Sequence, residues 1–275
     1  MRLVRLAIAL ALLAGIGADG AFARNRQSAA PFDRPQQTQR VNLGKSKDVR
    51  CFTFAHLMVK EIDAGEVGDE QISILPLASP NARPRCQASN AAGESVMPTM
   101  NAGSYFLGVK GDYVFLSAAD GVNNGLEFSV HRGADPTVLF LDSVKFDRDR
   151  TLFQSIAIDG AALRMRYTRV FSGTCSVQTE GAACWAKIAA AAHVPDVPAP
   201  DCAAGYLRSK QEMAAARCEV QSRKNNPACL KAEMDRQAAD DASPSIIDHV
   251  VDVSLQPPNQ TITPGGGALS CRPAD

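Results

Sequence analysis

Five carboxylates crowd one short stretch: Glu61, Asp63, Glu66, Asp69 and Glu70, punctuated by Gly65 and Gly68. Two chemistries use such a set. Oxygen-rich loops hold Ca²⁺, and a pair of acids at fixed separation hydrolyses glycosides. The spacing departs from the EF-hand loop, so a solvated acidic connection is the expectation, with calcium the ion it would otherwise suit. Asp120-Gly-Val-Asn-Asn-Gly125 also carries oxygen ligands, yet Asn124-Gly125 before a strand is first a turn signal. Asp147-Arg-Asp149-Arg lacks the Asp/Asn-Gly that would complete a calcium loop. No metal and no cofactor is expected.

A second candidate set is cationic. His131 falls on the polar face of an alternating strand, and Arg164 and Arg166 on the polar face of another. If the sheet order makes those strands neighbours, His131, Arg164 and Arg166, with Glu127 beside them, form a face that binds an anionic ligand. Otherwise they are an ordinary solvated sheet face. His249 shares a face with Ile247, Val251 and Val253, and reads as a satisfied core histidine.

Nucleophile chemistry has little support. There is no G-x-S-x-G elbow, no S-x-x-K, no H-E-x-x-H, no P-loop and no G-x-G-x-x-G. No catalytic residue is assigned. Net charge is zero, with a basic excess from Arg24 to Arg50 set against an acidic body. An acidic body without basic-aromatic stretches excludes a nucleic-acid binder.

The eight cysteines carry the architecture. All follow a segment with the parts of a secretory signal: Arg2 and Arg5, the apolar run Leu6–Ile16, and Ala21-Phe-Ala23 at the cleavage site. Residues 1–23 are therefore read as a signal peptide. The mature chain is expected in the periplasm or secreted, with no transmembrane segment. An even cysteine count in an exported chain reads as disulfides, and no C-x-x-C pair supports zinc. Cys51 with Cys86 would pin a long Ala/Pro/Asn/Gly loop to the first strand. Cys175 with Cys184 would close a tight loop. Cys218 and Cys229 lie symmetrically about the break of a helical hairpin, which leaves Cys202 with Cys271.

The elements that position these residues are mostly strands. Hairpin signatures at Lys110-Gly-Asp112 and Asp159-Gly160 join short alternating runs. Leu126, Phe128 and Val130 share one face, as do Leu163, Met165 and Tyr167. Cys51–Phe54 and Gln71–Leu77 read as strands joined by the acidic connection, and Thr137–Leu141 as a strand buried on both faces. Asp201 caps a helix with Leu207, Ala214 and Cys218 on its inner stripe, and Pro227 opens a second helix. The fold class is mainly β: an antiparallel β-sandwich or barrel-like domain with an inserted, disulfide-pinned α-helical hairpin. Residues 24–48 are expected to be a disordered basic arm. Residues 49–275 form a single β-rich domain, with 196–242 the hairpin insertion. The function class this supports is a non-enzymatic binding module meeting a protein or an envelope component. The alternative is a carboxylate-dependent hydrolase of envelope polysaccharide or peptide.

Overall fold

A computed structural model describes residues 31–65, 67–100, 103–146, 152–194, 197–221, 224 and 226–274. The expected signal peptide, Glu66, Asp147–Thr151 and part of the hairpin tip lie outside them. Five strands form an antiparallel sheet in chain order: β1 (Gln37–Gly44), β2 (Lys47–Thr53), β3 (Leu57–Asp63), β4 (Gln71–Pro76) and β5 (Ser95–Val96). A larger sheet holds β6 (Ser104–Lys110), β7 (Tyr113–Ala118), β8 (Gly125–Arg132), β9 (Asp135–Lys145), β10 (Phe153–Asp159), β11 (Ala162–Ser172), β12 (Ser245–Gln256), β13 (Asn259–Pro264) and β14 (Ser270–Pro273). Its order is β13-β12-β11-β9-β8-β7-β6, with β10 beside β11 and β14 beside β12. Between β11 and β12 the chain inserts α1 (Val177–Glu180), α2 (Ala182–Ala191), α3 (Ala203–Val220), α4 (Pro227–Arg236) and a 3₁₀ turn (Gln237–Ala242).

Strand alternation decides the layers. On β7, Tyr113 and Phe115 face the concave side of the large sheet, while Val114 and Leu116 face the small sheet. The first set joins Phe128, Phe153 and Tyr167 in edge-to-face contacts, with Phe128 5.0 Å from Phe153 and 5.2 Å from Tyr167 between ring centroids. The second set meets Leu57, Val59, Ile72 and Ile74 across the sandwich. Each such side chain, fully buried, contributes about 1.5–3 kcal/mol. The large sheet curls without closing into a barrel.

The four disulfides join Cys51 to Cys86, Cys175 to Cys184, Cys202 to Cys271 and Cys218 to Cys229, as the spacing predicts. Cys51–Cys86 ties the loop after β4 onto the outer face of the small sheet, over Val49, Met58 and Ile62. Closing a loop of 35 residues' separation stabilises by roughly 3–4 kcal/mol in the chain-entropy account.

Several expectations need correction. The basic arm is not disordered throughout: Gln37–Gly44 pairs along β2, and Phe32 packs on Phe115 at 5.1 Å. Composition conceals this strand because its half-buried side is Gln37, Gln39 and Val41. The connection after Cys51–Phe54 contains a central strand, β3, nearly all of it buried. The residues between Cys175 and Cys184 are helical, and α2 buries Trp185 and Ile188 against Ile247 of β12. Thr137–Leu141 is largely exposed, since β9 meets β11 only at Val144 opposite Arg169.

The helix α3 rotates differently from its expected stripe. Tyr206, Ala214 and Cys218 are buried and Leu207 is exposed. The Tyr206 hydroxyl sets this phase, donating to the Ser243 carbonyl at 2.8 Å and meeting the Ser245 Oγ at 2.8 Å. Gly205 lets the first turn of α3 lie on β14, where a Cβ would stand 1.7 Å from the Cys271 carbonyl oxygen. Gly205→Ala should therefore force α3 off β14. The loss should reach or exceed the roughly 1–3 kcal/mol of ordinary overpacking, with faster hydrogen exchange confined to α3 and β14. A variant whose exchange matches the parent would show that the helix is not seated there.

Candidate functional site

The strand order separates the cationic set. Arg164 and Arg166 on β11 pair with Ser254 and Asp252 of β12, whereas His131 on β8 pairs with Val114 of β7, with β9 between β8 and β11. Each residue is also otherwise engaged. Arg164 Nε donates to Asp159 at 2.7 Å, and Arg166 Nη1 to Asp252 at 3.0 Å. His131 is fully buried with its Nε2 2.9 Å from Ser129 Oγ, and burial pushes its pKa down. No shared anion-binding face results.

The acidic stretch is only in part a solvated loop: Glu70 is half exposed, Glu66 lies outside the described residues, and two of its acids are buried. Glu61 and Asp69 have side chains 5% and 0% exposed, and both meet Arg50 of β2. Arg50 Nε stands 3.3 Å from Glu61, its Nη2 3.0 Å from Asp69 and 3.5 Å from Asp63. Glu61 Oε1 accepts the Phe106 backbone N–H at 3.0 Å, and the Asp69 N–H donates to the Ser104 carbonyl at 2.9 Å. The cluster thus stitches β3 to β6, the edge strand of the other sheet. One guanidinium, shared with the partly exposed Asp63, cannot neutralise both buried carboxylates, so a proton is retained. Burial, then the charge of Asp69, pushes Glu61 up to about 8, and its carboxyl donates to Asp69. Burial raises Asp69 as well. Among the described residues no three metal-ligating side chains converge here or elsewhere.

A second polar group caps the concave side of the large sheet. Asp142 of β9 accepts from the Tyr167 hydroxyl and from Arg169 Nε, the latter at 2.8 Å. Arg169 Nη1 also donates to the Ala192 carbonyl at the end of α2, at 2.7 Å. This ties the helical insertion to the sheet. His249 lies opposite Arg169 on β12, and burial followed by that guanidinium lowers its pKa. It does share the Val251 and Val253 face, but its Nδ1 has no hydrogen-bond partner, so it is a core histidine left partly unsatisfied. Burial and the neighbouring Asp142 push the Tyr167 hydroxyl well above its ordinary range.

The hairpin is built differently from the body. Asn226 caps α4, its Oδ1 accepting the Ala228 and Cys229 N–H groups at 3.0 and 3.1 Å. Where α3 and α4 meet, the buried residues are Ala214, Cys218, Cys229 and Glu233. Such a small apolar contact cannot hold two helices by burial alone, and the Cys218–Cys229 bridge takes over that role. The Cys202–Cys271 bridge fixes the base to β14. Tyr206 is the only α3 or α4 side chain in the apolar clusters of the described residues. Leu207 and Val220 stand exposed on α3, at 49% and 87%. Sequence spacing foretold both bridges but not that Leu207 and Val220 stand exposed at opposite ends of α3.

The four bridges are those of a protein from an oxidising compartment outside the cytoplasm. No helix among the described residues is long and apolar enough to cross a membrane. Comparison with known proteins returns no match: no family model, no curated protein and no solved structure is similar to the chain.

Proposed function

We propose that this is a non-enzymatic binding module, exported to the periplasm or the extracellular space, which presents the α3–α4 hairpin to a protein or envelope partner. One observation carries the reading. The hairpin is clamped covalently at base and tip, while α4 adds no side chain to the apolar clusters of the body. Rigidity that does not serve the core serves presentation, because a pre-ordered element loses less entropy on binding. Leu207 near the base of α3 and Val220 at its end offer two separate exposed apolar points for such a partner. The hydrolase alternative would draw on Glu61 and Asp69. That pair lies buried beneath Arg50 and is committed to joining the sheets.

The test is chemical cross-linking in the exported fraction of the host, comparing the parent with a Leu207→Asp, Val220→Asp double variant. Both positions are exposed, so the variant should melt with the parent, surface changes usually costing within about 0.5 kcal/mol. It should lose the cross-linked partner that the parent captures. Capture that persists in the variant, or a parent that captures nothing, would overturn the hairpin reading.

A further inference from the structure

Beside the intersheet core, three turns border an open cleft of about 220 Å³. Its floor is Leu57 at the start of β3, flanked by Pro76 and by Ala134 of the β8–β9 turn, which packs against the intersheet core. The rim is polar. His56 Nε2 lies 3.2 Å from Asp112 Oδ1 and 3.3 Å from the Gly111 carbonyl, which fixes the ring's position. Arg132, the last residue of β8, stands in the same rim. Backbone bonds set the walls, with Gly133 N–H donating to the Asp112 carbonyl at 2.7 Å and Leu77 N–H to the His56 carbonyl at 2.8 Å. A Cβ on Gly133 would meet nothing within 4 Å, so the space above that turn is open.

Arg132 is the exception among the strand arginines. Arg40, Arg50, Arg164, Arg166 and Arg169 each face a carboxylate, and Arg272 donates to the Asn123 carbonyl. Among the described residues Arg132 has no acid within ion-pair distance and no hydrogen-bonded acceptor for its guanidinium. An exposed arginine without such a partner, at the rim of a cleft with an apolar base, suits a carboxylate carried on a small apolar group. Asp112 argues against a doubly charged phosphate, since its own charge lines the same space. The volume also lies below the roughly 300–1,000 Å³ of drug-sized sites, which limits the occupant to a few carbon atoms beyond its carboxylate.

We infer that this cleft is a binding site for a small branched aliphatic carboxylate, with Arg132 holding the carboxylate and Leu57, Pro76 and Ala134 taking the hydrocarbon. The same chemistry occurs in a free short-chain acid and at the C-terminal residue of a peptide. The site is distinct from the hairpin and does not depend on it.

Amide chemical-shift titration of the full mature chain tests this, with isovalerate, N-acetyl-L-leucine and N-acetyl-L-leucine amide as probes. At least one of the two acids should shift the amides of Leu57, Asp112, Gly133 and Ala134, and the uncharged amide should not. Isovalerate alone would assign a free acid, and N-acetyl-L-leucine alone a peptide terminus. Arg132→Gln should keep the remaining spectrum and weaken acid binding roughly tenfold to a hundredfold, the worth of a charge-assisted hydrogen bond. Equal binding of acid and amide, an Arg132→Gln variant that binds like the parent, or no shifts with either acid each sinks the proposal.

Discussion

Glu61→Gln should gain stability over the parent as pH rises from about 5 to about 8. The sign follows from the proton count. Glu61 keeps its proton in the folded protein up to about 8, whereas the ordinary glutamate value is 4.5. Between those values the Glu61 site is protonated in the folded chain and ionised in the unfolded one, so its contribution to stability falls with every step in pH. The contribution is complete below the ordinary value and is lost as pH climbs through the folded one. One proton's difference sets the steepest slope at roughly 1.4 kcal/mol per pH unit. Asp69, also raised by burial, acts in the same direction. Glutamine reproduces the protonated form, because its carbonyl can accept from Phe106 N–H and its amide can donate to Asp69. The variant should match the parent near pH 5 and exceed it by several kcal/mol near pH 8, read from urea midpoints. A difference between variant and parent that stays level across that range would refute the shared proton, since the depressed His131 and His249 act oppositely in both proteins and cancel in that difference.

The strands that the sequence discloses are those whose alternation is purely apolar against polar. Leu126, Phe128 and Val130 enter the concave core as expected, and Asp159-Gly160 makes its hairpin turn, with Gly160 at φ 59°. The strands it conceals are those where charge or amide replaces the apolar half. In β3, Lys60 and Glu61 stand side by side on a central strand, pointing to opposite faces, and both are buried. Local pattern assigns such residues to solvent. What permits their burial is a set of distant partners, Glu94 for one and Arg50 with Phe106 for the other. The candidate site suffers from the same limit. The faces of His131, Arg164 and Arg166 were legible, but strand order is a non-local fact, and β9 runs between β8 and β11. The disulfides were legible because each pairing follows from one short-range element or from closing the remainder.

Lys60 yields the second large effect. Its ammonium, on the outer face of the small sheet, meets Glu94 at 2.6 Å, Asn90 Oδ1 at 2.9 Å and the Ser89 carbonyl at 3.2 Å. Both charged side chains are 2% exposed. Burial pushes the Glu94 carboxyl up, but bonds from Lys60, the Ser73 hydroxyl and the Ala91 N–H outweigh it and leave it below the ordinary range. The pair thus folds the 77–96 loop onto the sheet beside the Cys51–Cys86 bridge. Lys60→Met should cost roughly 3–5 kcal/mol, since it strands a buried carboxylate, and Glu94→Gln should cost a similar amount by stranding the ammonium. Combining Lys60→Met with Glu94→Gln leaves no buried charge. The double variant should therefore lie well above the sum of the single losses, with a positive coupling that a double-mutant cycle measures. Trypsin offers a local check, because Arg85 is exposed in that loop and should be cut faster in Lys60→Met than in the double variant. Acid gives the complementary sign. A lowered Glu94 stabilises above its ordinary value of 4.5 and is lost as pH falls, so the parent should weaken in acid more than the double variant does. Single variants within about 0.5 kcal/mol of the parent would mean that the disulfide alone holds the loop and the ion pair contributes nothing to it.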